Sequence, residues 1–145
     1  MVLPMSRSDT IARLKAVPLF SNCSGRQLRR IADLGHEGTY ATGKTVVEEG
    51  KFADEFFVIL EGHADVRKGG RKRGTLGPGD YFGEIALLRS SLIDRSRRTA
   101  TVTATEPLRC FRLGSSQFDM VLYEQDVAVK ILREVVRRLD VPPGE

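Results

Sequence analysis

The 145-residue chain has no tryptophan, two cysteines, two histidines and three methionines. Cys23 and Cys110 lie far apart in ordinary apolar contexts, which excludes a disulfide scaffold and a thiolate metal cluster and leaves both as reduced core thiols. Two histidines, His36 and His63, without a partner histidine nearby, are too few for an imidazole-based metal centre. No run is apolar enough to span a bilayer, and the first nine residues lack the apolar core of a secretory signal. A cytoplasmic domain without membrane contact is the expectation. The length fits one core, with residues 1–16 as a helical extension and residues 17–145 as the domain proper.

Fourteen glycines against six prolines, with few aromatics, suit short strands and tight turns. Helices are expected over Thr10–Leu14 and Ser24–Leu34. In the second, Ser24 and Gln27 form a capping box, Leu28, Ile31 and Ala32 keep helical spacing, and Gly35 is the stop. The pattern then turns to strands: Thr45–Val47, an apolar Phe56–Leu60 bracketed by Gly50 and Gly62, and a hairpin of Ala64–Arg67 with Arg73–Leu76 turning at Lys68-Gly69-Gly70. A turn at Leu76–Asp80 delivers Tyr81-Phe82. Strands Thr99–Ala104 and Leu108–Leu113 follow, then a helix near Gln117, capped by Ser115 or Ser116, and a last helix over 127–139 with an apolar stripe. Strands this short at this spacing predict a mainly β barrel or jelly roll.

The formal charge of +4 is uneven. Arg67, Lys68, Arg71, Lys72 and Arg73 crowd the hairpin, where a solvated turn accounts for them without nucleic acid. Residues Gly38 to Thr45 satisfy the phosphate-binding loop pattern letter for letter. That loop needs a buried strand before it and a helix after it, and Val46-Val47-Glu48-Glu49-Gly50 leaves no room for a helix. The stretch therefore reads as a turn entering a strand. With no nucleophile, base and orienting group in evident array, the chain reads as a non-enzyme.

The stretch from Phe82 to Val102 is where the chemistry gathers. Phe82-Gly83-Glu84-Ile85-Ala86-Leu87-Leu88 places a glycine and a carboxylate where a strand hands over to a helical turn, whose free N–H groups attract an anion. Arg97-Arg98-Thr99-Ala100-Thr101-Val102 brings a guanidinium fork suited to phosphate oxygens. Glu84 is an acceptor beside an anion site, which suits a ligand hydroxyl such as that of a ribose.

These two blocks resemble the phosphate-binding cassette of the cyclic nucleotide-binding domain family. Val17-Pro18-Leu19-Phe20 and Glu49 to Gly62 resemble the family as well. The resemblance implies a β-roll with N-terminal helices and C-terminal lid helices, and a regulatory module that binds cyclic AMP or cyclic GMP and controls an effector domain or protein partner. It implies backbone donors at Gly83, Ile85 and Ala86, Glu84 on the ribose 2′-hydroxyl, Arg98 on the exocyclic oxygens, and Thr99 on the phosphate or a purine edge. Arg138 is implied as a lid contact; neither a metal nor direct DNA binding is.

Two features depart from the family. Glu84 and Arg98 stand 14 positions apart, from 98 − 84, several residues more than usual, and Arg97 replaces a frequent proline. Both imply weaker preorganisation of Arg98. The alternative reading is a fold that has lost its ligand and serves as a protein-interaction scaffold.

Overall fold

The computed structural model describes residues 5–52, 55–83 and 97–114, with Ser116, Gln117 and Met120. Helix α1 spans Arg7–Ala16, longer at both ends than the sequence predicts. Its start is set by Ser6, whose hydroxyl accepts from Asp9 N at 3.1 Å, while Asp9 in the first turn complements the helix dipole. A 3-10 turn over Pro18–Phe20 leads to α2, Gly25–Leu34. The capping box of α2 is complete: Gln27 N donates to Ser24 Oγ at 3.1 Å, and Ser24 N to Gln27 Oε1 at 2.8 Å.

Among the described residues eight strands follow: β1 (His36–Tyr40), β2 (Thr45–Val47), β3 (Glu55–Glu61), β4 (Ala64–Lys68), β5 (Arg71–Leu76), β6 (Tyr81–Phe82), β7 (Thr101–Ala104) and β8 (Leu108–Gly114). They form two antiparallel sheets, β1-β8-β3-β6 and β2-β7-β4-β5, packed as a roll. The sequence hides β1, because Gly38 to Tyr40, its later part, fall in the phosphate-loop look-alike and the strand alternates poorly. In the structure Gly38 pairs with Cys110, and a Cβ at Gly38 would lie 2.7 Å from Arg112 Cδ. That glycine answers to close packing. A turn closed by Lys44 N on Ala41 O at 3.0 Å then enters β2, and no helix follows. At the β4–β5 tip Lys68 pairs with Arg71, and both intervening glycines take positive φ, +59° at Gly69 and +78° at Gly70, as a two-residue turn of matching twist demands.

Strand β3 is buried on both sides and divides two cores. Phe56, Val58 and Leu60 face the helices, meeting Leu14, Phe20, Leu28 and Ile31. Phe57 and Ile59 face the interior of the roll with Phe82, Val102, Ala104, Leu108 and Cys110. Each large apolar side chain so buried contributes about 1.5–3 kcal/mol.

Strand β7 begins at Thr101, two residues later than the sequence predicts. Before it, Phe52 bridges to Arg97, Arg98 N donates to Lys51 O at 2.7 Å and Gly50 N to Arg98 O at 2.9 Å. The chain is thus held against the 50–52 turn, and Thr99 and Ala100 bend it into the second sheet. Ser116, Gln117 and Met120 are helical, where a helix is expected. The last helix over 127–139 lies outside the described residues.

Candidate functional site

The site is built on Arg98. Its backbone is fixed by the pairing to Lys51 and Gly50, and its guanidinium Nη2 donates to the carbonyl of Glu55 at 2.6 Å. The residue is only 7% exposed, so its charge sits at the inner end of a recess and not on a solvated surface. The guanidinium carbon lies 5.7 Å from the Phe57 ring centroid. Phe57 in turn stacks on Phe82 at 4.8 Å, making an aromatic floor.

Gly83 is the second fixed point. It follows β6 at φ +92°, a conformation that L side chains seldom adopt. A Cβ there would lie 2.5 Å from Arg98 Nη1 and 2.8 Å from Glu55 O. Glycine at this position therefore lets the guanidinium dock. The carboxylate of Glu55 is drawn elsewhere: Arg112 donates to it from Nε at 2.9 Å and from Nη2 at 3.1 Å. That hydrogen bonding raises the Arg112 pKa above its ordinary value, burial acting in the opposite direction. Glu55 thus serves Arg98 with its main chain and Arg112 with its side chain.

Arg98, Phe57 and Glu55 line a cavity of about 430 Å³ together with Lys44, Val46 and Phe52, among others. The volume lies within the range of small-ligand pockets, and Lys44 and Lys51 add positive charge to its wall. Such a recess can hold a small anion with an attached apolar or aromatic body. A larger cavity, about 530 Å³, lies elsewhere, against Tyr40, Leu108 and Arg109. The Arg109 guanidinium is already engaged there by Glu37 and Glu61.

Of the residues singled out from the sequence, the structure brings Gly83 and Arg98 together and places Thr99 next to them, exposed. Glu84, Ile85, Ala86 and Arg138 lie outside the described residues. Lys44, set aside with the phosphate-loop pattern, turns out to line the same cavity as Arg98. Sequence reasoning missed Glu55, whose contribution is a carbonyl that every residue carries, and Phe57, whose apolar run signals burial without saying which face meets a ligand. Among the described residues no three His, Cys, Asp or Glu side chains gather as a metal ion would require. His63 Nδ1 lies 2.5 Å from Glu106 Oε1, a surface pair.

Compared with known proteins, residues 37–125 match the cyclic nucleotide-binding domain model. The chain belongs to that family. As a cyclic nucleotide-binding domain it has the family's mainly β roll with helices at its start, and the family is a regulatory one. A cAMP-dependent protein kinase regulatory subunit from Eremothecium gossypii is 39% identical over 114 residues, covering 75% of this chain and 23% of that protein. The chain spans about a quarter of the length of the curated relatives it matches. Among solved structures, the N-terminal domain of a transcriptional regulator from Streptomyces coelicolor A3(2) superposes with a TM-score of 0.71 at 32% identity, covering 88% of this chain and 91% of that one. The cAMP-bound PfPKA-R superposes at 0.74 with 26% identity, covering 94% and 48%. No helix among the described residues is long and apolar enough to cross a membrane.

Proposed function

We propose that this cyclic nucleotide-binding domain is a sensor that takes cyclic AMP or cyclic GMP in the cavity ending on Arg98. The observation that carries this reading is the guanidinium of Arg98, buried, bonded to the Glu55 carbonyl and seated against Gly83 at the end of a recess of suitable size. In this reading Arg98 meets the exocyclic phosphate oxygens. The N–H groups of Gly83, Ile85 and Ala86 meet the phosphate and ribose, Glu84 accepts from the 2′-hydroxyl, and Thr99 adds a hydroxyl at the mouth. The likeness to cAMP-dependent kinase regulatory subunits supports cyclic AMP as ligand and a protein effector as partner. Residues 1–16 act as a helical extension of a domain over 17–145, anchored through Leu14 in the helical-side core. Binding shifts the cassette, and the helix over 127–139 closes on the occupied pocket with Arg138 toward the base. A ligand biases such a pair of states only by binding one of them better, so these closing contacts supply the difference.

Calorimetric titration with cyclic AMP, cyclic GMP and ATP tests the reading. One cyclic nucleotide binds and ATP does not. Arg98→Ala lowers the affinity by roughly 100-fold, the scale of losing about 3 kcal/mol of charge-assisted hydrogen bonding. Arg26→Ala, on α2 and away from this cavity, leaves it unchanged. A folded chain that binds neither cyclic nucleotide overturns the sensor reading in favour of a protein-interaction scaffold.

A further inference from the structure

The residue before the anion-binding arginine is tied down more tightly than an exposed arginine needs to be. Arg97 Nη1 donates to Gly50 O at 2.6 Å, and its guanidinium carbon sits 4.5 Å above the centroid of the Phe52 ring. Phe52 is a large apolar side chain left 45% exposed, and its backbone bridges to that of Arg97. The same short turn supplies both backbone bonds of Arg98, through Lys51 O and Gly50 N. Lys51 and Phe52 also line the cavity. Three kinds of contact, a side-chain hydrogen bond, a ring face and a backbone ladder, thus converge on one dipeptide from one turn.

We infer that Arg97 and Phe52 form a clamp that sets the position of Arg98 and so the anion affinity of the cavity. Arg97 is a positioning residue: it acts through Arg98 and has no role in touching the phosphate. Phe52 is its platform and at the same time part of the cavity wall. The guanidinium fork is needed, since one of its nitrogens donates to the Gly50 carbonyl while its carbon stays over the Phe52 ring, a pair of contacts a single ammonium cannot make together. Without the clamp, the turn and the arginine strand would separate, and the ligand would have to order both on binding, at a cost in affinity.

The inference rests on the proposed cyclic-nucleotide reading for its affinity arm, and its other arm needs no ligand. In the free full-length chain, Arg97→Ala and Phe52→Leu speed amide hydrogen exchange at Gly50 and Arg98 by about tenfold, the scale of one lost stacked and hydrogen-bonded contact. Affinity for cyclic AMP falls by a similar factor, about tenfold for each variant. Phe52→Tyr keeps a ring face and restores both readouts, whereas Arg97→Lys, which keeps the charge without the planar fork, does not. In an Arg98→Ala background, Arg97→Ala has no further effect on residual affinity, which a general loss of stability would not produce. Unchanged exchange at Gly50 and Arg98 in Arg97→Ala overturns the clamp, and so does unchanged affinity alongside altered exchange. If the natural chain binds no cyclic nucleotide, the sensor reading fails while the exchange arm still decides the clamp.

Discussion

Cys110 is fully buried in the interior of the roll, and burial pushes its thiol up to about 12 from an ordinary 9.0, Arg112 acting weakly the other way. Tyr40 is raised as well, chiefly by burial. The folded state therefore binds these protons more tightly than the unfolded chain does. Their stabilising contribution is complete below the unfolded thiol value near 9 and is lost progressively as pH rises from there toward 12. Thermal unfolding followed from pH 7 to 11 should show a midpoint that falls above pH 9, with a shallower fall in Cys110→Ala. Native thiol titration at pH 8 should find neither cysteine reactive, and both in denaturant. At this same scale the sequence singles out Arg98 and Gly83 by residue type, whereas the contacts that seat them, the Glu55 carbonyl above all, carry no local mark. It expected Arg97, lacking the ring constraint of proline, to leave Arg98 loose, whereas the bridge to Phe52 and the bonds from Lys51 and Gly50 hold it.

Among the elements, α2 was legible because its signals are local: a cap, a reciprocal Gln27 and an apolar stripe all lie within ten residues. The β4–β5 turn was legible for the same reason. Strand β1 was not, since His36 to Tyr40 earns its place only through pairing with β8, more than sixty residues away, and no local pattern marks that partner. The late start of β7 has a similar cause, for the bonds that divert the chain come from residues 50 and 51. The capping box offers a direct check. Ser24→Ala should destabilise the domain by about 1 kcal/mol, a drop of roughly 2–4 °C in the unfolding midpoint for a chain of this size. Gln27→Ala added to it should cost little more, because the two side chains act as a pair.

For the whole molecule, β3 joins the ligand side to the helix side. Residues 57 and 59 face the roll, and residues 56, 58 and 60 face α1 and α2, so a shift at Arg98 and Phe57 is one residue from the helical core. Ligand held at about 100 times its Kd should stabilise the fold by about 2.7 kcal/mol, read as a rise in the unfolding midpoint. Saturating cyclic nucleotide should also slow hydrogen exchange over residues 125–140, and no change there would contradict closure of the last helix. The acceptor that seats Arg98 is a main-chain oxygen at Glu55, so no exchange of side chain at that position can delete it. During descent, a lineage of such domains could lose its ligand by mutating the arginine or by placing any Cβ at Gly83, yet would carry the vacant seat indefinitely. A single reversion at the altered position would then find its seat intact.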